Sequence, residues 1–292
     1  MNIHSPVVRA LSYMLMATLL LSGMHVLVRY LSADLHPFVV VFFRNLFGLI
    51  VLVPLLMKNG ITSLATKQPR LYALRIAIGL CAMLSWFYAL SKVPVANATA
   101  LSFSSTIFAT LSAWIFLREP MRVRRWAAIV VGLIGVLVVL RPGIEGFNRY
   151  ALLVIASAAT WGLSITIVKQ LSKTDHTITI VAWMSIGLSL LSIWPAILVW
   201  QWPDATQILL LLLVGALASG GHFYMTNAVR IGDMATVMSV DFFRLIWAAI
   251  FGYLLFADVL DAGTVLGAAI IFASAWYIVM RETKLEKEST TH

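Results

Sequence analysis

The stretch from Ala89 to Pro120, ALSKVPVANATALSFSSTIFATLSAWIFLREP, returns between Ala228 and Val259 as AVRIGDMATVMSVDFFRLIWAAIFGYLLFADV. At a shift of about 139 residues the two align without a gap, setting Ala89 on Ala228, Ala96 on Ala235, Phe103 on Phe242, Ala109 on Ala248, Trp114 on Tyr253 and Glu119 on Asp258. Whatever this chain folds into, it builds twice. In each copy a turn leads into an apolar helix long enough to cross a bilayer, and an acidic residue stands where that helix ends.

The solvent for such a repeat follows from how little polar surface is available. Of 292 residues 61% are hydrophobic and 11% charged, and the mean hydropathy is +0.94. That is too little polarity to coat a soluble globule, so lipid is the solvent. The excess of 21 Lys and Arg over 12 Asp and Glu lies in short loops between apolar runs, where it orients helices and calls for no nucleic-acid partner. The single cysteine, Cys81, sits in an apolar run and reads as a small core residue.

Ten spans are expected: Ala10–Tyr30, Pro37–Met57, Leu71–Ser91, Val95–Leu117, Trp126–Leu140, Ala151–Val168, Ile178–Trp200, Ile208–Val229, Met234–Phe256 and Gly263–Met280. The first resembles a signal peptide but reads as a retained span. Its apolar stretch exceeds the roughly 7–15 residues of a signal core, and Ser22-Gly23 aligns with Trp161-Gly162 at the repeat shift. The fold class is therefore an all-α membrane protein of ten transmembrane helices, five per repeat. The first repeat covers 1–143, the second 144–282, and a charged tail 283–292. The junction, Arg141-Pro142-Gly143-Ile144-Glu145-Gly146, is too short for a flexible linker.

On alternate loops the basic residues divide unequally. One side collects Arg9, Lys58, Lys67, Arg70, Arg118, Arg122, Arg124, Arg125, Lys169, Lys173, Arg230, Arg281, Lys284 and Lys287, the other only Arg29, Lys92, Arg141 and Arg149. Both termini are thus expected in the cytoplasm. An odd number of spans per copy inverts the second copy relative to the first, and inverted halves can exchange conformations, opening a central cavity to each side in turn. The plainer alternative is a duplicated scaffold without a transport role.

Phe43-Arg44-Asn45, Trp86-Phe87-Tyr88-Ala89-Leu90, Ala98-Thr99-Ala100-Leu101-Ser102-Phe103, Arg141-Pro142-Gly143 and Asp241-Phe242-Phe243-Arg244-Leu245 together resemble the drug/metabolite transporter superfamily, EamA type, over about Ala10 to Glu282. The resemblance implies a solute path lined by spans one to four and six to nine, with spans five and ten outside it. It also implies a multi-pass protein of the bacterial inner membrane. Many relatives carry a proline in the fourth and ninth spans where this chain has Thr106 and Leu245-Ile246, so the corresponding helix kinks are expected to be missing. Ala128-x-x-x-Gly132 in span five and Gly263-x-x-x-Gly267 in span ten suit close helix packing, either inside the molecule or as a homodimer seam.

Charged residues inside spans are costly and mark function. Arg44, Asp241 and Arg244 lie deep. Asp241 and Arg244 are three apart on one helix face, so they form either an ion pair or a site in which Arg44 or Arg244 holds an anionic group of the solute. Arg75, a turn inside span three, is expected to snorkel to the interface. His25 and His222 are the intramembrane histidines, and His222 or Asp241 could couple protons. Trp86, Trp161 and Trp247 lie away from the interfacial belt, with Tyr88, Phe103 and Tyr224 nearby in sequence, and either offer π faces to a solute or pack between helices. With Ser102 beside Phe103, the candidate binding residues are Arg44, Trp86, Tyr88, Ser102, Phe103, Trp161, His222, Tyr224, Asp241, Arg244 and Trp247.

The spans contain no His-Glu-x-x-His, nucleophile elbow or carboxylate cluster, which argues against an intramembrane enzyme, a metal site or a cofactor. The expected partners are a small-molecule solute and the bilayer. The function expected is export of amino acids, aromatic ones among them, with export of drug-like or cationic compounds as the alternative.

Overall fold

The computed structural model describes residues 6–59, 66, 68–118, 123–141, 148–171, 174–175, 177–231 and 240–290, and these form helices joined by turns with no strand among them. In chain order the helices are α1 (Pro6–Leu31), α2 (Pro37–Asn59), α3 (Pro69–Leu90), α4 (Val95–Ser102), α5 (Ser105–Leu117), α6 (Val123–Leu140), α7 (Ala151–Leu171), α8 (Thr177–Leu191), α9 (Ile193–Ile197), α10 (Ala205–Ile231), α11 (Phe243–Phe256) and α12 (Ala262–Thr290). Among the described residues six stretches are long and apolar enough to cross a membrane: Val7–Leu31, Pro69–Leu90, Val95–Phe116, Ala151–Val168, Ala205–Met225 and Ala262–Met280. Four shorter apolar helices are Pro37–Val51, Trp126–Leu140, Ala182–Ile197 and Phe243–Phe256. Helices are the physical outcome because lipid supplies no hydrogen bonds, so each N–H and C=O must be satisfied within its own segment.

Packing carries the imprint of the repeat. The contacts of α1 with α10 have their counterpart in those of α7 with α3, and those of α2 with α10 in those of α8 with α3. The contacts of α1 with α11 recur between α7 and α5. The α6–α12 contacts are their own counterpart. Local details repeat as well. Helices α5 and α11 end on non-glycine residues in the left-handed region, Arg118 (φ 54°) and Ala257 (φ 54°), at equivalent positions. Each supplies the left-handed cap that closes a helix end. Asp258 follows that cap in the second copy. Its equivalent, Glu119, lies outside the described residues.

The expected loss of the helix breaks is corrected. Span four still breaks between α4 and α5 at Phe103-Ser104, and a turn at Phe242 precedes α11. No proline is needed. Ser104 Oγ donates to Leu101 O at 2.6 Å, Ser102 Oγ donates to Thr99 O at 2.7 Å, and backbone bonds of the tighter i to i+3 kind run from Ser104 N to Leu101 O (3.1 Å) and from Thr106 N to Phe103 O (3.3 Å). Serine hydroxyls competing for backbone carbonyls bend a helix by themselves.

The small-residue motifs are used inside the molecule. A Cβ on Gly267 would stand 2.5 Å from Val139 Cγ2 and 2.8 Å from Gly135 O, and Ser274 Oγ donates to Ala128 O at 2.6 Å. Helices α6 and α12 therefore touch backbone to backbone. Cys81 is exposed rather than in the core. Lipid-facing and buried positions are equally apolar here, so hydropathy did not separate them.

Loops clasp one another at the helix ends. Arg29, at the end of α1, pairs with Asp258 after α11, and its guanidinium lies 4.2 Å from the Phe256 ring centroid. Arg141, after α6, pairs with Asp261 before α12. Asp261 loses solvation there, which disfavours its charge. Hydrogen bonds from the Thr264 N–H and hydroxyl together with Arg141 outweigh that loss and hold the carboxyl below its usual range. Asn148 Nδ2 donates to Lys92 O at 2.7 Å, and His36 N donates to Gln201 Oε1 at 2.9 Å. Elsewhere Asp175 accepts from Tyr72 OH at 2.9 Å, and Gln68 Nε2 donates to Thr174 Oγ1 at 2.7 Å.

Candidate functional site

Polar groups collect where α1, α2, α10 and α11 meet. Ser22 Oγ donates to the carbonyl of Arg244 at 3.1 Å, which sets the face of α1 carrying Ser22 and, one turn on, His25 beside the start of α11. His25 Nδ1 is buried without a hydrogen-bond partner. Its ring stands edge-on to Trp86 of α3, with centroids 5.1 Å apart and planes at 67°. Arg244, Arg44 and His222 all lie within electrostatic reach of His25, and Arg44 lies within reach of His222.

Arg44 is positioned through its neighbour. Asn45 Nδ2 bonds to Ser192 Oγ at 3.4 Å and Leu188 O at 3.5 Å, pinning α2 to α8 and the turn after it. Asn45 Oδ1 in turn accepts from Arg44 Nη1 at 2.9 Å. Arg44 Nε is buried and unpartnered, and among the described residues no carboxylate pairs with it. A guanidinium in low dielectric gains several kcal/mol from an anion brought beside it, of the order of the penalty that its burial incurs.

Arg244 has a different setting. Its Nη2 lies 2.9 Å from Asp241 Oδ2, and its guanidinium sits 5.1 Å from the Phe103 ring centroid. Of the two readings of this pair, the geometry is that of the ion pair. Its Nε and Trp247 Nε1, one turn on, are nevertheless buried without partners. Phe103 stacks on Phe242, with centroids 6.1 Å apart and planes at 25°, and both rings touch Phe272 of α12 at 6.1 and 4.8 Å. A cavity of about 30 Å³ opens there, lined by Phe103, Thr106, Asp241 and Phe272 among others. A larger concavity of about 380 Å³ is lined by Leu209, Leu210, Leu212, Leu213 and Ala216, all on α10. It offers no polar group and is an apolar surface groove.

The structure thus brings together Arg44, Trp86, Phe103, His222, Asp241, Arg244 and, on the same helix face, Trp247. It leaves four candidates elsewhere. Tyr88 belongs to an aromatic cluster at a loop end, 6.1 Å from His36 and 6.2 Å from Tyr150. Tyr224 packs on Tyr13 at 5.8 Å beside Met14 and Ala228. Ser102 spends its hydroxyl on its own helix. Trp161 lies under Arg75, whose guanidinium is 5.5 Å from its ring. The expectation that Arg75 snorkels is corrected: it is 2% exposed. His25, Asn45 and Phe272 were absent from the candidate set. Phe272 stands on the span expected to lie outside the path, and no sequence signal pointed to it.

The cluster has two guanidinium groups and two imidazoles around one carboxylate, beside aromatic walls. It can hold an anionic group and a flat ring together.

A family model described as the EamA-like transporter family matches the chain twice, over residues 8–141 and 148–280. The chain is 32% identical over 263 residues to an S-adenosylmethionine uptake transporter of Rickettsia felis, covering 90% of each chain. It is 30% identical over 286 residues to a riboflavin transporter of Vibrio cholerae, covering 96% of each. It is 29% identical over 278 residues to a pseudopaline exporter of Pseudomonas aeruginosa, covering 92% of this chain and 94% of that one. A solved crystal structure superposes with a TM-score of 0.65 at 20% identity, covering 95% of this chain and 98% of the other, which is a likeness of fold.

Proposed function

Because the chain belongs to the EamA-like transporter family and is a membrane transporter, not an enzyme, we propose that its solute combines an amino-acid end with a flat ring. S-adenosylmethionine and aromatic amino acids both meet that description. The observation that carries this reading is Arg44, a buried guanidinium with an unpartnered Nε and no described carboxylate beside it. Arg44 takes the solute carboxylate, Trp86 and Phe103 flank the ring, and Asp241, with its edge on the small cavity, meets the positive end. Arg244, Trp247 and His222 complete the wall. The relatives named for S-adenosylmethionine support a solute of this kind. Export of amino acids is retained as one use of the same site, since an alternating-access carrier runs in the direction its gradients set.

The topology proposed is ten spans in two inverted halves, 1–143 and 144–282, followed by the tail 283–292, with both termini cytoplasmic and the protein in the bacterial inner membrane. The twofold match of the family model and the paired helix contacts support it. So do the clasps between loops, each of which joins two loops that alternation puts on one side. The four shorter apolar helices are read as spans two, five, seven and nine. No dimer seam is proposed through spans five and ten, whose small residues are occupied with each other.

Proteoliposomes containing only this protein test the solute. Labelled S-adenosylmethionine and phenylalanine are expected to cross, and Arg44→Met is expected to abolish flux in a chain that still folds, while Arg44→Lys retains part of it. Flux of riboflavin, which has no carboxylate, with none of the other two would overturn the assignment.

A further inference from the structure

Arg75 makes a second polar centre away from the cluster around Arg44. It lies on α3 against α7 and α8, where the guanidinium folds back onto its own helix: a Cβ on Gly79 would stand 2.5 Å from Arg75 Nη1 and 3.9 Å from Leu188 Cδ2. Any residue larger than glycine at 79 would push the group out. Glycine there lets it turn inward, over Trp161, instead of reaching for the interface. Two of its nitrogens, Nε and Nη1, are buried with no hydrogen-bond partner. Among the described residues no carboxylate pairs with it.

The opposite wall carries a third unpartnered polar atom. Helices α3 and α7 run antiparallel, with Ser157 Oγ donating to Ala82 O at 2.7 Å and Tyr72 packed in one cluster with Ile167 and Leu171. Between those two points, two turns from Ser157 along α7 and two turns back from Ala82 along α3, this register sets Ser164 opposite Arg75. Ser164 is 0% exposed, and its Oγ has no partner. Trp161, one turn away on the same face, closes the side.

Two guanidinium nitrogens and a hydroxyl, each able to donate and each without a partner, enclosed between two helices, form the donor set of an anion site. We propose that Arg75 and Ser164, flanked by Trp161, bind a small monovalent anion, a halide or a free carboxylate such as formate, at a site separate from the one that holds the solute. The enclosure favours a small ion. With Arg75 2% exposed and Ser164 0% exposed, there is no open face for a larger molecule.

The test uses the full chain in nanodiscs at constant ionic strength, with gluconate replaced stepwise by chloride or by formate while melting is followed. A saturable rise of a few degrees is expected with both anions. It should disappear in Arg75→Met and require roughly tenfold more anion in Ser164→Ala, which loses one hydrogen bond to a charged group. Arg44→Met should keep the anion response while losing solute binding, so the two assignments fail separately. An unresponsive wild-type chain overturns the proposal. So does an equal response in Arg75→Met, or a response to solute alone. If Arg75→Met does not fold, an unchanged anion midpoint in Ser164→Ala overturns it.

Discussion

Phe103 and Phe242 hold the same position in the two copies of the repeat, and their rings stack on each other, with centroids 6.1 Å apart and planes 25° from parallel. Equivalent residues of the two copies thus touch each other directly. Each ring also sits at the break of its own span, so the contact ties two bends together. Leucine at either position keeps apolar area and removes the aromatic pair. Single variants are expected to melt earlier, and the double variant is expected to lose less than the sum, with a coupling of about 0.5–1.5 kcal/mol. Strict additivity in a double-mutant cycle of melting would deny the contact.

Arg244 and Asp241 pair at 2.9 Å, both about four-fifths buried. Removing either charge leaves the other in low dielectric, a penalty of about 3–5 kcal/mol. Asp241→Asn and Arg244→Met are each expected to lower the melting temperature, and the double variant is expected to recover most of the loss. Without such recovery, Arg244 would have to be assigned to the solute.

The clasp of Arg29 with Asp258 joins the end of α1 to the cap of α11. Asp258→Asn is expected to loosen that end, making a cysteine at Ser32 react faster with a thiol reagent. Exchanging the charges, Arg29→Asp with Asp258→Arg, should restore the slower rate in part, since the Phe256 stack is lost. No change in rate would mean that the clasp does not hold the end shut.

The neighbouring carboxyl of Asp261 is held below its usual range. A depressed carboxyl contributes stability that is present above the unfolded pKa and is lost as pH falls through the folded value. Asp261→Asn should therefore lower melting at neutral pH and converge with the wild type at acid pH. Parallel melting curves over that range would exclude linkage through this group.

Inversion of the halves is tested by chemical access. In a Cys81→Ser background, a cysteine at Arg70, between spans two and three, should react with an impermeant thiol reagent only from the cytoplasmic side, and one at Asp204, in the corresponding loop of the second half, only from the opposite side. Both residues are exposed. Reaction of both from one side would remove the ten-span topology.

The repeat, the lipid solvent, the all-helical class and the family were legible in the residues, because each follows from sums over many positions: hydropathy over about 20 residues per span, or identity over a whole copy. Arg44, Asp241 and Arg244 were legible for a related reason, since a charge inside an apolar run stands out wherever it points. Direction is what a linear pattern leaves open in lipid, where facing the bilayer and facing a neighbouring helix demand the same apolar side chains. For that reason Cys81 went to the surface, Tyr88 and Tyr224 went to separate clusters at the helix ends, and Phe272 came in from a helix read as peripheral. Arg75 illustrates the limit most sharply. Its depth allowed snorkelling, and one missing Cβ, at Gly79 on the next turn, let the guanidinium fold inward over Trp161 instead. Serine hydroxyls bent span four without the proline that sequence comparison leads one to expect. Such outcomes depend on which atoms meet across helices, or compete for one carbonyl, and only the packed tertiary structure decides them.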